Sequence, residues 1–459
     1  MNESKQPEIK ERERDAILQS LRAGVVPRIG QQYIQVGRVD ELEALVDDVR
    51  RIVDGGSTFR FVIGEFGSGK TFFIMLVRAV ALERRLVTVH ADLSPDRRLL
   101  GSGGQARSLY AELVRNMATR AKPDGGALQS VVERFVTSAI QEAATRSVDS
   151  SVVFAERFRQ IQDMVGGFDF ATVIKKYWEG YEQGSEQLQS DAIRWLRGEF
   201  SRKTDARTAL GVKTIVDDAN WYDHLKLLAK FVRMAGYGGM LVCLDELVNL
   251  YKLNHTVSRS SNYEQLLRIL NDSLQGTAGG IGWLLGGTPE FLLDPRRGLY
   301  SYPALQSRLA ENNFATIDFV DRSGPVLRLA NLSSEDFYVL LTKLRHVYAR
   351  GDSSKYLLPN EALTAFMDHC ALRVGDAYFR TPRNTIKEFI NLLSILDQNP
   401  GASWQEVLGN VNVALEANPD LAPLTDDLSV SSAPPQASQD AKVRRGDREG
   451  DDDLTTFKL

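Results

Sequence analysis

The residues best placed to do chemistry are Gly64-Glu65-Phe66-Gly67-Ser68-Gly69-Lys70-Thr71. A glycine, four further residues and then Gly-Lys-Thr is the pattern of a phosphate-binding loop. The glycines let the backbone turn tightly enough to aim several N–H groups at one spot. A helix N-terminus directly behind the loop adds its positive dipole end. Lys70 is expected to reach the β- and γ-phosphates and the Thr71 hydroxyl to sit on Mg2+. The alternative is a chance glycine-rich turn. The flanks argue against it, because Phe59-Arg60-Phe61-Val62-Ile63 reads as a short buried strand and Phe72-Phe73-Ile74-Met75-Leu76-Val77 as an apolar helix start.

A phosphate loop needs carboxylates across from it, and Met240-Leu241-Val242-Cys243-Leu244-Asp245-Glu246 supplies them. The apolar run predicts a buried parallel strand, and its two acids fall at the C-terminal edge, where ligands collect in open α/β sheets. Asp245 is expected to hold Mg2+ through water and Glu246 to polarise an attacking water. The next predicted strand, Gly280 to Gly287, ends at Thr288. Its hydroxyl is placed to satisfy the turn before Pro289.

Composition bounds the rest. With 459 residues the chain has room for two or three domains, and a hydrophobic fraction of 43% is that of a globular protein with a full core. The net charge of −4 excludes a global basic field, though not a local basic patch. Two distant cysteines, Cys243 and Cys370, argue against a disulfide framework and against a zinc site. No run of about 18 apolar residues occurs, and the N-terminus is charged, so the expectation is a cytoplasmic protein with no membrane partner.

Further elements position these residues. Residues 1–24 are read as an N-terminal helix, and 25–325 as the nucleotide-binding domain. Val36-Gly37-Arg38 leads into an amphipathic helix with Leu42, Leu45, Val46 and Val49 on one face. Leu86 to Ala91 reads as a second parallel strand. Gly101-Ser102-Gly103-Gly104-Gln105 is a second glycine-rich loop, read either as a contact to nucleotide or a neighbouring subunit, or as a connection capping a helix. Residues from about 122 to 220 read as a helical insertion. Its Arg194, Arg197, Arg202, Lys203 and Arg207 are either a basic face or a solvated one, and the interleaved Glu199 and Asp205 favour the latter. Residues 326–418 read as a helical lid, with a winged-helix-like remainder as an alternative. From residue 419 the chain turns to Pro, Ser, Asp and Gln, the signature of a disordered acidic tail. Its last residues, Asp451 to Leu459, look like either a docking peptide or a solubilising end.

Taken together, the chain resembles the ATP-binding AAA+ protein of bacterial phage-defence islands, the type found in BREX systems and in the related Shango system. The resemblance rests on Gly24-Val25-Val26-Pro27-Arg28 with Val36-Gly37-Arg38, on Gly64 to Phe73, and on Asp92-Leu93-Ser94-Pro95 with Gly103-Gly104-Gln105-Ala106-Arg107. Leu196-Arg197-Gly198-Glu199 and Arg380-Thr381-Pro382-Arg383 match as well. It spans roughly residues 10–400 and implies an α/β P-loop NTPase fold of the AAA+, origin-recognition or STAND-like kind. It also implies that Gly37 and Arg38 pack beside the adenine, that Thr288 is the sensor 1 residue, and that Arg308 in Ser307-Arg308-Leu309 is an arginine finger lent to a neighbouring copy. Arg383, or second to it Arg380, would be the sensor 2 arginine of the lid.

The function expected is ATP hydrolysis with Mg2+, in a homo-oligomer, beside a helicase-like partner from the same operon and on DNA, reached directly or through that partner. The rivals are a GTPase, disfavoured because no Asn-Lys-x-Asp motif is evident, a helicase acting alone, a nucleotide-gated scaffold or signalling protein with little turnover, and a small-molecule kinase.

Overall fold

The computed structural model describes residues 9–310, 312 and 321–410. These all lie in one compact unit, residues 1–424. The expected tail and its terminal docking peptide lie outside the described residues.

The chain begins with α1 (Glu11–Arg22) and α2 (Val39–Val53), then β1 (Thr58–Ile63), α3 (Lys70–Glu83), β2 (Val87–Asp92) and α4 (Gln105–Arg115). Helices α5 (Leu128–Arg146), α6 (Ser150–Gln162), α7 (Gly167–Gln183), α8 (Glu186–Leu196) and α9 (Lys203–Leu210) follow. Then come α10 (Trp221–Met234), β3 (Met240–Asp245), α11 (Val248–Tyr251), α12 (Thr256–Leu274), β4 (Ile281–Gly287), α13 (Pro289–Leu293), α14 (Pro303–Leu309) and β5 (Val326–Arg328). The remainder is α15 (Ser334–Tyr348), α16 (Asn360–Val374), α17 (Ala377–Arg380), α18 (Arg383–Gln398) and α19 (Trp404–Gly409).

The strands form a sheet of order β2-β3-β4-β1-β5, and every pair is parallel. All residues of β1, β3 and β4 are buried, as parallel strands covered on both faces must be. Arg60 in β1 is 6% exposed and pairs with Asp48 of α2, Nε to Oδ2 at 2.5 Å. A buried arginine is tolerated only with such a partner.

One face of the sheet packs on α2 and α3 through Leu45, Val49, Phe73 and Val77. On the opposite face the core is continuous from Phe59 and Val89 through Phe135, Phe170 and Trp195 to Leu309. Helices α5–α9 therefore share the sheet's own core. Of the basic residues singled out there, Arg194 pairs with Asp191 at 2.8 Å and lies over the Phe200 ring.

A third core gathers the C-terminal helices. Leu341, Phe366, Phe389 and Leu393 pack there together with Ile17 and Leu18 of α1. The N-terminal helix thus docks on α18, more than 350 residues along the chain. Strand β5 pairs with β1; at three residues it is too short for a period-2 pattern to mark it in the sequence. Among the described residues no strand follows β5. The winged-helix alternative therefore has no wing there, because the apolar residues from 334 to 398 recur at helical spacing and bury as helix faces.

Candidate nucleotide-binding site

Parallel strands bring their C-terminal ends to one edge, and the site is built there. After β1 the chain enters the glycine loop, anchored by the Gly64 N–H donating to the Gly287 carbonyl of β4 at 3.2 Å. Gly67 and Gly69 have φ of +74° and +87°, which only glycine adopts cheaply. Gly69 is the residue ahead of α3, so the N-terminus of that helix opens onto the loop. The Lys70 ammonium lies back on its own loop, donating to the carbonyls of Gly64 at 3.0 Å and Glu65 at 2.9 Å.

The Thr71 hydroxyl donates to Asp245 Oδ2 at 2.6 Å, and Asp245 Oδ1 accepts the Glu246 N–H at 2.9 Å. Asp245 fits because β4 presents Gly286 to it: a Cβ at Gly286 would stand 2.2 Å from Asp245 Oδ1. The Glu246 backbone is left-handed, φ +58°, at the point where β3 ends. Strained non-glycine residues of this kind gather at functional sites. In register with Asp245, the Asp92 carboxyl at the end of β2 has its pKa raised above the usual value, first by desolvation and then by the Asp245 charge.

These residues line a cleft of about 350 Å³, within the range of small-ligand pockets. Phe66 to Phe72, Asp245, Glu246 and Thr288 form its polar end. Its other end is apolar and assembled from three places: Leu21, Val25 and Pro27 near the N-terminus, Leu332 and Leu340 around α15, and Ile386 of α18. A phosphate-sized polar end continuous with an apolar slot suits a nucleotide. Sequence reasoning missed the apolar end. Its residues carry no motif, and only the docking of α1 on α18 brings them together.

Each expected site residue has a definite place. Gly64 and Glu65 serve the lysine rather than the cleft wall. Ser68 is 1% exposed, and its hydroxyl has no hydrogen-bond partner. Thr288 lines the cleft while its side chain caps α13, accepting the Phe291 N–H at 3.4 Å. Thr288 thus both caps α13 and lines the cleft. Arg383 opens α18 and lines the cleft; its Nε donates to the Gly24 carbonyl at 2.8 Å, and its guanidinium is 6.0 Å from the Phe66 ring centroid. Next to it, Thr381 packs on the loop, 3.3 Å from where a Gly67 Cβ would stand. Arg380 pairs with Asp376 at 3.3 Å and is not part of the cleft wall.

Arg308, exposed on α14, is away from the cleft of its own chain. Its Nε donates to Asn271 at 2.9 Å and Nη1 to the Ala304 carbonyl at 2.9 Å. Arg38 lines the cleft through its guanidinium, which donates to the carbonyls of Ser68 at 2.6 Å and Ala330 at 2.9 Å. Burial holds its pKa down to about 10, so it stays cationic at neutral pH. Gly37 faces Asp336 instead. The second glycine loop is clamped elsewhere: Asp218 accepts the N–H groups of Gly104 at 2.7 Å and Arg107 at 2.9 Å, and the loop does not line the cleft.

An α/β protein whose parallel sheet turns a glycine loop, a helix N-terminus and two carboxylates onto one cleft is, by class, a nucleotide-binding protein. The comparison with known families narrows this: the model of the BREX system ATP-binding protein BrxC/D family matches residues 9–412, and the chain belongs to that family. It is an ATP-binding protein of a phage-defence system. No curated protein matches the chain. Among the described residues no helix is long and apolar enough to cross a membrane.

Proposed function

We propose that the protein hydrolyses ATP to ADP and phosphate and uses the cycle to change the arrangement of its C-terminal helices, as an AAA+ protein does. The observation that carries this reading is the Thr71–Asp245 hydrogen bond of 2.6 Å with Glu246 beside it on the cleft wall. A binding-only cleft needs the loop; it does not need a second carboxylate next to the first. Lys70 neutralises phosphate charge, and the Ser68 hydroxyl, buried without a protein partner, is available to a phosphate oxygen. Glu246 polarises the water that attacks the γ-phosphorus, and Thr288 orients it.

The donor set also fits Mg2+. Thr71 and Asp245 offer a hydroxyl and a carboxylate, both hard oxygens, which suits a cation that takes its other ligands from phosphate and water. Among the described residues no group of three or more His, Cys, Asp and Glu could hold a metal on its own. When bound, the cation would neutralise charge on the transferring phosphoryl group.

The proposal extends to the assembly. Arg308 acts on the cleft of a neighbouring copy in a homo-oligomer, and Arg383 acts within its own chain. A helicase-like partner and DNA, bound directly or through that partner, complete the reading; membership in a phage-defence family supports it.

Glu246→Gln tests the proposal. It keeps the shape of the side chain and removes the carboxylate. The expected outcome is unchanged ATP affinity with hydrolysis lowered about 10²–10⁴-fold. Turnover is measured with and without DNA and the operon neighbour. Wild-type protein that binds ATP and never turns it over in any of these mixtures would establish the nucleotide-gated scaffold instead.

A further inference from the structure

Arg38 holds contacts that a residue serving only the nucleotide would not need. Its φ of +57° lies where L side chains are rarely found and where glycine is the easy choice. What the arginine adds is a fork. Nη2 donates to the Ser68 carbonyl at 2.6 Å, inside the phosphate loop, and Nε to the Ala330 carbonyl at 2.9 Å, between β5 and α15. The preceding Gly37 touches the far side of the same junction, since a Cβ there would stand 3.0 Å from Asp336 Oδ2. Asp336 is half of the capping box that starts α15: its carboxylate accepts the Ser333 N–H at 3.1 Å, and its own N–H donates to the Ser333 hydroxyl at 3.1 Å. From α15, Leu340 reaches the apolar end of the cleft.

The Ser68 carbonyl belongs to the same planar peptide as the Gly69 N–H, and the two point in opposite directions. Pinning the carbonyl on Arg38 therefore fixes where that N–H points. An anion that accepts N–H groups of the loop polarises the peptide and strengthens the bond on its far side.

We propose that Arg38 is a positioning residue that couples the phosphate loop to the first turn of α15, so that filling the loop with nucleotide phosphates tightens the C-terminal helices through Ser68, Arg38 and Ala330. The proposal rests on reading residues 64–71 as the phosphate site and adds a route from that site to the lid.

Amide hydrogen exchange of the full chain, with and without saturating AMP-PNP and Mg2+, tests it. In the wild type, exchange should slow at residues 66–72 and, by about tenfold, at residues 331–337, the scale of one charged hydrogen bond. Arg38→Gly suits the backbone and removes the fork. With AMP-PNP raised until 66–72 is fully slowed, it should lose the slowing at 331–337. Arg38→Lys, which keeps the charge and can serve one carbonyl at a time, should retain part of it. Full slowing at 331–337 in Arg38→Gly would overturn the coupling. If that variant is unfolded, full slowing in Arg38→Lys overturns it by the same criterion. A folded Arg38→Gly that binds no AMP-PNP would make Arg38 a nucleotide ligand and not a positioning residue. Wild-type protein that slows at 66–72 and not at 331–337 defeats the coupling alone, whereas no slowing at 66–72 defeats the phosphate-site reading beneath it.

Discussion

The Thr71 hydroxyl meets the Asp245 carboxylate at 2.6 Å across 174 positions of sequence, and a glycine on a third strand makes room for the meeting. Strand β4 lies between β1 and β3, so the two halves of the site face each other across β4 and not across a shared strand pair. Any side chain at Gly286 would enter the space the Asp245 carboxylate occupies.

Gly286→Ala should therefore be damaging although it adds a single methyl. Its Cβ would stand 2.2 Å from Asp245 Oδ1 and 2.8 Å from Ile74 Cδ1, and both must move. We expect a loss of about 1–3 kcal/mol of stability from overpacking, with weaker ATP binding. Denaturant unfolding and calorimetric titration measure the two effects. Unchanged values for both would mean that Asp245 has no fixed place.

Arg383→Ala and Arg380→Ala should separate cleanly. Arg383 lines the cleft beside Phe66, whereas Arg380 forms an exposed pair with Asp376. Removing a cation near bound phosphates should weaken binding of an ATP analogue about tenfold, the scale of one charged hydrogen bond. Removing the exposed cation should change it less than about twofold. Equal effects from the two variants would deny Arg383 a role at the nucleotide.

The Arg308 hypothesis concerns two chains. Because Arg308 sits on α14 away from its own cleft, Arg308→Ala should leave ATP affinity of the monomer intact and lower turnover. Wild-type activity should rise more steeply than linearly with protein concentration. Mixing Arg308→Ala with Lys70→Ala should restore part of the activity, since each supplies what the other lacks. Absence of rescue, with a monomer by light scattering at working concentration, rules out action in trans.

Acid should weaken the fold through a histidine that does not line the cleft. His224 of α10 is 2% exposed and packs against Trp195 and Tyr110. Burial holds its pKa down to about 4 from the usual 6.5. The unfolded chain therefore takes up a proton that the folded chain refuses, and stability falls as pH drops from about 6.5 to about 4. The loss is on the order of 3 kcal/mol from this residue. His224→Phe should flatten that part of the stability curve, with His90, also held down to about 4 by burial, left as the remaining contributor. An unchanged pH dependence in unfolding experiments would exclude His224 as the source.

The candidate site was legible where it is local. Gly64 to Thr71 and Met240 to Glu246 each carry their meaning in residue types at fixed spacing beside a strand or helix signal, and Phe66 to Thr71, Asp245 and Glu246 line one cleft. The resemblance to a phage-defence family was likewise carried by short runs. Choosing among the arginines was beyond the sequence. Arg38, Arg308, Arg380 and Arg383 are the same residue type, yet Arg38 grips loop carbonyls, Arg308 is exposed on α14, Arg380 pairs with a neighbouring aspartate and Arg383 lines the cleft beside Phe66. Thr288 likewise looked like a choice between sensing and capping, and packing has it both cap α13 and line the cleft. These differences depend on contacts between positions far apart in the chain. The clearest case is α1 docking on α18, which closes the apolar end of the cleft. Local spacing encodes which groups can react; only the burial of helix faces against one another decides which of them reach the same cavity.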